Sequence, residues 1–133
     1  MLSPKLRATL IQLALEARSR AYCPYSRYQV GAALLGENSV IYGGCNVENA
    51  SYGGTICAER TAVVKAVSEG VRQFSALVVA TANGGSPCGI CRQFLYEFAP
   101  DLLIILVDGD GIVRAEHTLR QLLPHGFGAA HLE

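Results

Sequence analysis

Three cysteines and one glutamate stand where they can do metal-assisted chemistry: Cys57-Ala58-Glu59, and further along Pro87-Cys88-Gly89-Ile90-Cys91. Cys88 and Cys91 lie at the start of an expected helix. Their spacing puts both side chains on one face, so both sulfurs can reach one metal ion at about 2.3 Å. Cys57 opens another expected helix. Both segments therefore turn a helix N-terminus toward the ion, where the positive end of the dipole favours thiolate over thiol. Glu59 follows Cys57 so closely that on a regular helix the two side chains would point apart. The spacing thus predicts that Cys57 sits at the cap, before the backbone becomes helical, so that both can face one site. Three protein ligands leave a tetrahedral zinc with one open position, and water bound there has a pKa of about 7.

A Cys or His, any residue, then Glu, followed later by Pro-Cys-x-x-Cys, is the signature of zinc-dependent base deaminases. In that chemistry the zinc-bound hydroxide attacks the ring carbon that bears an amine (C4 in cytosine). Glu59 takes the water's proton, passes it to the ring nitrogen and later protonates the departing amine, as general acid and base and not as a ligand. Three thiolates leave the zinc site with a net negative charge and weaken the ion as a Lewis acid. Arg60 is placed to hydrogen-bond the sulfurs and withdraw that charge; an Arg on an exposed helix face is the plainer alternative. A Cys-x-x-Cys can also be a redox dithiol, but that leaves Cys57 and Glu59 without a use. A closed structural zinc site would need a fourth ligand, from Cys23 or Cys45, and has no use for Glu59. Cys23 and Cys45 read as ordinary buried thiols. His117, His125 and His131 lie outside the motifs and are not expected to bind metal.

The elements that must position these residues follow from pattern. Ser3-Pro4 reads as a helix cap followed by proline in the first turn. Leu6, Leu10, Leu13 and Ala17 carry helical spacing to about Tyr22. Val30–Leu35 and Val40–Cys45 read as a hairpin around Glu37-Asn38-Ser39. A loop rich in Gly and Asn runs from Asn46 to Gly54, and a helix from Cys57 to Glu69 closes at Gly70. Ala76–Thr81 and Leu102–Val107 are short apolar strands buried on both faces. Between them lie a loop, Ala82–Pro87, and a helix, Cys88–Phe98. Ile112–Glu116 returns antiparallel, and a short helix spans Leu119–Leu122. The order α-β-β-α-β-α-β-β-α predicts one α/β domain: a five-stranded mixed sheet with helices on its faces.

Composition narrows the function. The 133 residues carry 11 Lys and Arg against 11 Asp and Glu, for a formal net charge of +0. A nucleic-acid binder shows a basic balance or stripe, so neutrality points to a small-molecule substrate. The stretch Met1–Arg7 lacks the apolar core of a signal peptide. The aliphatic run Leu102–Val107 is far too short to span a membrane. The expectation is a cytoplasmic enzyme. Its 5 cysteines, an odd number, read as metal ligands or buried thiols before disulfides. A mean hydropathy of +0.27 leaves room for either a generous core or burial in a homo-oligomer.

Beyond the metal motif, the chain resembles the small homotetrameric cytidine deaminases over nearly its whole length. The likeness rests on the stretches from Pro24 to Ala33, Gly44 to Ala50, Cys57 to Thr61 and Pro87 to Gln93. The resemblance implies a three-layer α/β/α fold, one zinc ion per chain held by Cys57, Cys88 and Cys91, and deamination of cytidine and deoxycytidine to uridine and deoxyuridine in pyrimidine salvage. It implies that Asn46 and Glu48 hydrogen-bond the ribose 3′-hydroxyl; loop-capping is the bland reading of both. Tyr28 falls where the family usually carries phenylalanine against the pyrimidine ring. Tyrosine keeps the stacking face and adds a hydroxyl. The backbone carbonyl of Ala58 and the amide around Cys57 would read the cytosine edge. Ala50 and Tyr52 would reach a neighbouring subunit's site, and Phe127 would cover another subunit's substrate, so that active sites are shared in a homotetramer. Simple interface packing is the alternative for Tyr52 and Phe127.

Three other readings compete. A different aminated base, such as blasticidin S, or a nucleotide could be the substrate. Glu48 would repel a phosphate on the 3′ oxygen, and Arg27 is the one nearby cation for a 5′-phosphate. A base within tRNA or single-stranded DNA needs an electropositive track, which a neutral chain does not suggest. A zinc-binding interaction module without catalysis leaves Glu59 unexplained.

Overall fold

A computed structural model of the chain describes residues 2–132. Met1, part of the N-terminal stretch read above, and Glu133 lie outside them. Helix α1 (Pro4–Arg18) begins as its residues dictate. The Ser3 hydroxyl accepts the Leu6 N–H at 3.1 Å, and Pro4 occupies the first turn. Such a cap contributes about 1 kcal/mol. The apolar spacing carries on toward Tyr22, but the helix ends at Arg18. A long-range pairing wins there: Tyr22 N–H donates to the Asn46 carbonyl at 3.0 Å, and Glu48 N–H donates to the Tyr22 carbonyl at 2.8 Å. The chain after α1 is thereby drawn alongside Val47.

The remaining elements are β1 (Gly31–Gly36), β2 (Ile41–Cys45), α2 (Ala58–Ser68), β3 (Phe74–Ala80), α3 (Gly89–Tyr96), β4 (Leu103–Val107), β5 (Val113–Thr118) and α4 (Leu119–Leu122). Short 3-10 turns at Tyr52–Gly54 and Ala129–Leu132 add to the expected order. The sheet has 5 strands in the order β2-β1-β3-β4-β5. Both hairpins are antiparallel, β1 also runs antiparallel to β3, and the crossover through α3 makes β3 and β4 parallel. β3 begins earlier than its apolar run suggests, because Phe74 pairs with Gly36 across a register shift in β1.

Alternation along the inner strands buries both faces. Ala32, Leu34, Leu77, Val79, Ile104 and Leu106 face α2 and α3. Ala33, Leu35, Ala76, Val78, Ile105 and Val107 pack with Leu10 and Ala14 of α1. Each large aliphatic chain so buried contributes about 1.5–3 kcal/mol. The result is the expected mixed sheet between helical layers. The edge strand β5 instead alternates exposed residues, Arg114 and Glu116 among them, which suits an edge.

One glycine sets the position of the site. A Cβ on Gly44 of β2 would lie 2.6 Å from the Ala58 carbonyl oxygen and 2.6 Å from the Ala62 nitrogen. The first turn of α2 therefore rests directly on the β2 backbone. Helices α2 and α3 follow β2 and β3, which point the same way, so both helix N-termini meet at the carboxyl end of the sheet, where ligands bind in open α/β folds.

Candidate active site

Cys57 is the N-cap of α2, with extended backbone at φ −72° and ψ 155°. That is the geometry its close spacing to Glu59 requires. Cys88 is likewise the N-cap of α3, at φ −68° and ψ 166°, and Cys91 lies in that helix's first turn. The three Sγ atoms lie within 4.8 Å of one another. Cys57 Sγ is 3.9 Å from Cys88 Sγ, which is 3.4 Å from Cys91 Sγ. Sulfurs at about 2.3 Å from a tetrahedral zinc stand about 3.8 Å apart. The triad fits that ion in donor chemistry and in spacing. Among the described residues no fourth His, Cys, Asp or Glu joins the cluster. Cys23 and Cys45 are half-buried rather than buried, and Cys45 Sγ lies 3.6 Å from the Arg20 carbonyl.

Arg60 turns back over this cluster. Its guanidinium donates to Cys57 Sγ at 3.4 Å and to the Thr55 carbonyl at 3.4 Å. Of the two readings of Arg60, contact with sulfur is the one the geometry takes. The Cys57 thiol is pushed down to about 5, first by the Cys91 thiol beside it and then, against burial, by Arg60. Cys91, fully buried, holds its proton above the usual thiol range, because of its neighbour Cys57 and its burial. Glu59 is 4% exposed. Burial pushes its carboxyl up to about 7, with Cys57 adding to the rise and Arg60 opposing it.

Glu59, Cys57 and Cys88 line a cavity of about 280 Å³. Tyr28, Asn46 and Glu48 line it too. So do Ser26, Thr55, Thr81, Gly85 and Ser86, which sequence reasoning passed over. Ser26 lies inside the Pro24–Ala33 stretch with no role of its own assigned there, Thr81 reads only as the end of a strand, and Gly85 only as part of the Ala82–Pro87 loop. Asn46 is buried and ties down the loop ahead of β1: its Nδ2 donates to the Tyr28 carbonyl at 2.8 Å, and its Oδ1 accepts the Val30 N–H at 2.9 Å. Glu48 accepts the Tyr25 N–H at 2.9 Å, the Ser26 N–H at 3.1 Å and the Ser26 hydroxyl. The Ser26 hydroxyl, with those two N–H groups, holds the Glu48 carboxyl below its ordinary range. Both residues thus cap loops while lining the cavity. The Tyr28 hydroxyl donates to Asn83 Oδ1 at 2.7 Å.

The other predicted residues lie elsewhere. Ala58 is fully buried, with its carbonyl toward Gly44 of β2, and is not among the residues lining the cavity. Ala50 is exposed. Tyr52 is 74% exposed and meets Tyr25 edge-on, ring centroids 5.6 Å apart. Phe127 is 53% exposed and stacks on His131 at 5.3 Å. Its carbonyl accepts from Gln93 Nε2 at 2.8 Å. Ala50, Tyr52 and Phe127 do not line this chain's own cavity.

Known proteins resemble this chain. The family described as the cytidine and deoxycytidylate deaminase zinc-binding region matches residues 4–107. The cytidine deaminase of Sporosarcina psychrophila is 48% identical over 126 residues, covering 92% of each chain. That of Halalkalibacterium halodurans is 48% identical over 126 residues, covering 92% of this chain and 95% of its own. The crystal structure of cytidine deaminase from Burkholderia pseudomallei superposes with a TM-score of 0.85 at 44% identity, over 90% of this chain and 98% of that one. A dCMP deaminase from the cyanophage S-TIM5, at 18% identity and a TM-score of 0.57, shares the fold. A cysteine triad on two helix N-termini, a buried glutamate behind it, a family match over residues 4–107 and relatives alike across most of the chain place this protein in the cytidine and deoxycytidylate deaminase family.

Proposed function

We propose that this chain hydrolyses cytidine and deoxycytidine, with one water consumed and ammonia released, to give uridine and deoxyuridine in pyrimidine salvage. The observation that carries the reading is the buried Glu59 carboxyl on the cavity wall beside Cys57 and Cys88. Cys57, Cys88 and Cys91 would hold one zinc ion, which when bound supplies Lewis acidity and a water acidic enough to attack at neutral pH. Glu59 takes a proton from the attacking water and delivers it to the ring nitrogen, then takes the second proton from the newly added hydroxyl and gives it to the amine, which leaves as ammonia as the carbonyl forms. Arg60 draws charge from Cys57 and keeps the sulfur cluster from becoming too electron-rich.

Tyr28 presents its ring to the base. The N–H groups of the first turn of α2, which have no intrahelical partner, are available to the edge of the cytosine near Ala58. Asn46 and Glu48 take the ribose 3′-hydroxyl. Their loop ties leave them able to do so, because each carboxylate or amide oxygen can accept more than one hydrogen bond. A nucleoside fits better than a nucleotide phosphorylated at the 3′ position, which Glu48 would repel. Tyr52 and Phe127, exposed and outside their own chain's cavity, suit contacts to the sites of neighbouring copies in a cytoplasmic homotetramer. Among the described residues no helix is long and apolar enough to cross a membrane.

The test is the absorbance change of cytidine incubated with purified protein, with zinc assayed on the same sample. Turnover with about one zinc per chain supports the reading. Bound zinc without turnover of either nucleoside overturns it in favour of another aminated base or a nucleotide.

A further inference from the structure

The loop between β3 and α3 is gripped from two sides. On one side stands the turn after β4. The Asp108 carboxylate accepts the Asp110 N–H at 2.9 Å, the Ile112 N–H at 3.1 Å and Arg114 Nε at 2.8 Å. Asp108 also bridges the Asn83 backbone. Gly84, at φ +74°, lies so close to Arg114 that a Cβ there would meet its Cγ at 2.7 Å. On the other side stands Tyr28. A Cβ on Gly85 would meet the Tyr28 hydroxyl oxygen at 2.7 Å, so the glycine is what lets the phenol come up to the loop.

Asn83 joins the two sides. Its Oδ1 accepts the Tyr28 hydroxyl at 2.7 Å and the Thr81 hydroxyl at 3.4 Å. Thr81 Oγ1 in turn accepts the Gly85 N–H at 2.8 Å. Tyr28, Thr81 and Gly85 all line the cavity, whereas Asn83 is not among its lining residues. Asn83 therefore acts on a substrate only through Tyr28. A phenol ring that is 39% exposed has freedom to swing unless its far end is held, and the Asn83 side chain holds it.

We propose that Asn83 is a positioning residue that fixes the Tyr28 ring in the cavity wall through the tyrosine hydroxyl, and so sets affinity for the pyrimidine nucleoside. This rests on the functional reading above, in which Tyr28 meets the base. A ring held before substrate arrives favours the bound substrate and the transition state alike, so its loss raises KM and leaves kcat in place.

The experiment is steady-state deamination of cytidine by the unaltered 133-residue chain and by Asn83→Ala, Tyr28→Phe, the double variant and Asn83→Asp, with zinc content measured on each. Asn83→Ala and Tyr28→Phe should each raise KM roughly three- to tenfold, the size of one lost hydrogen bond, with kcat within about twofold and zinc retained. The double variant should be no worse than either single one, because both remove the same bond. Asn83→Asp, which keeps an acceptor oxygen, should bring KM back to within about twofold of the unaltered chain. An unchanged KM in Asn83→Ala overturns the proposal, and so do effects that multiply in the double variant. A fall in kcat accompanied by lost zinc also overturns it, since the loop would then serve Cys88 rather than the ring. No turnover by the unaltered protein overturns the functional reading and this proposal with it, an outcome distinct from turnover with an indifferent Asn83.

Discussion

Cys57, Cys88, Cys91 and Glu59 ride on the N-termini of two helices, whereas Ser26, Tyr28, Asn46 and Glu48 ride on loops that hold one another. The helix-borne wall owes its position to backbone packing: α2 rests on Gly44 of β2 with no side chain between them. Its polar groups are therefore largely free for chemistry. In the loop-borne wall the same groups hold the loops together. Asn46 bonds the backbone at Tyr28 and Val30, and Glu48 bonds Tyr25 and Ser26. Substitutions in the first wall should remove function and leave the fold; those in the second should cost both.

The largest effect is expected from Cys91→Ala, which removes a fully buried member of the cysteine triad that could hold a metal. Turnover should fall to background and zinc content well below one per chain, measured by metal analysis beside the activity assay. Retained zinc with full activity would sink the assignment of the triad. Glu59→Gln should lower kcat by about 10²–10⁴ while zinc content and thermal unfolding stay near those of the unaltered protein, because Glu59 lies outside the cysteine group that could hold a metal. This variant sharpens the contrast most, as it alters chemistry alone.

Asn46→Ala is the counterpart on the loop-borne wall. It leaves the Tyr28 carbonyl and the Val30 N–H without their partner, at about 1–3 kcal/mol for each group that stays buried and unpaired. Denaturant unfolding should register a loss of about 2 kcal/mol or more, together with a higher KM. A normal unfolding midpoint with only KM changed would erase the distinction between the two walls.

The smallest effect is a pH dependence. The Ser26 hydroxyl, then the Ser26 and Tyr25 N–H groups, favour ionised Glu48, so its folded pKa lies below the ordinary value of 4.5. A depressed carboxylate stabilises the fold fully above that value and loses its contribution as pH falls through the lower folded pKa. The stability difference between the unaltered protein and Glu48→Gln should therefore be flat from neutral pH down to about pH 5 and shrink as pH falls further. A difference that grows with acid would reverse the assigned cause.

Much of the helix-borne wall was legible from residue type and spacing. Helix caps are local, so Cys57, Glu59, Cys88 and Cys91 betray their arrangement within a few positions of chain. Strand alternation and turn residues likewise gave the order of the elements and the mixed sheet. The end of α1 was not legible, because apolar spacing continues past Arg18 and only the pairing of Tyr22 with Asn46 and Glu48 stops the helix. Nor did local pattern mark Thr81, Asn83 and Gly85. They matter through Tyr28 and Asp108, which are remote in sequence and adjacent in space.

The chain's residues by themselves determined which cysteines could hold a metal, the acid beside them and the elements that carry both, since each depends on contacts within one turn of helix or one strand. Only the tertiary structure decided that Arg60 reaches Cys57, that Asn46 and Glu48 bind loops as well as line the cavity, and that Tyr28 is held by Asn83. Those outcomes depend on which of several donors and acceptors the folded backbone brings within hydrogen-bond range. That choice is made by the packing of helices on the sheet and not by any residue's own preference.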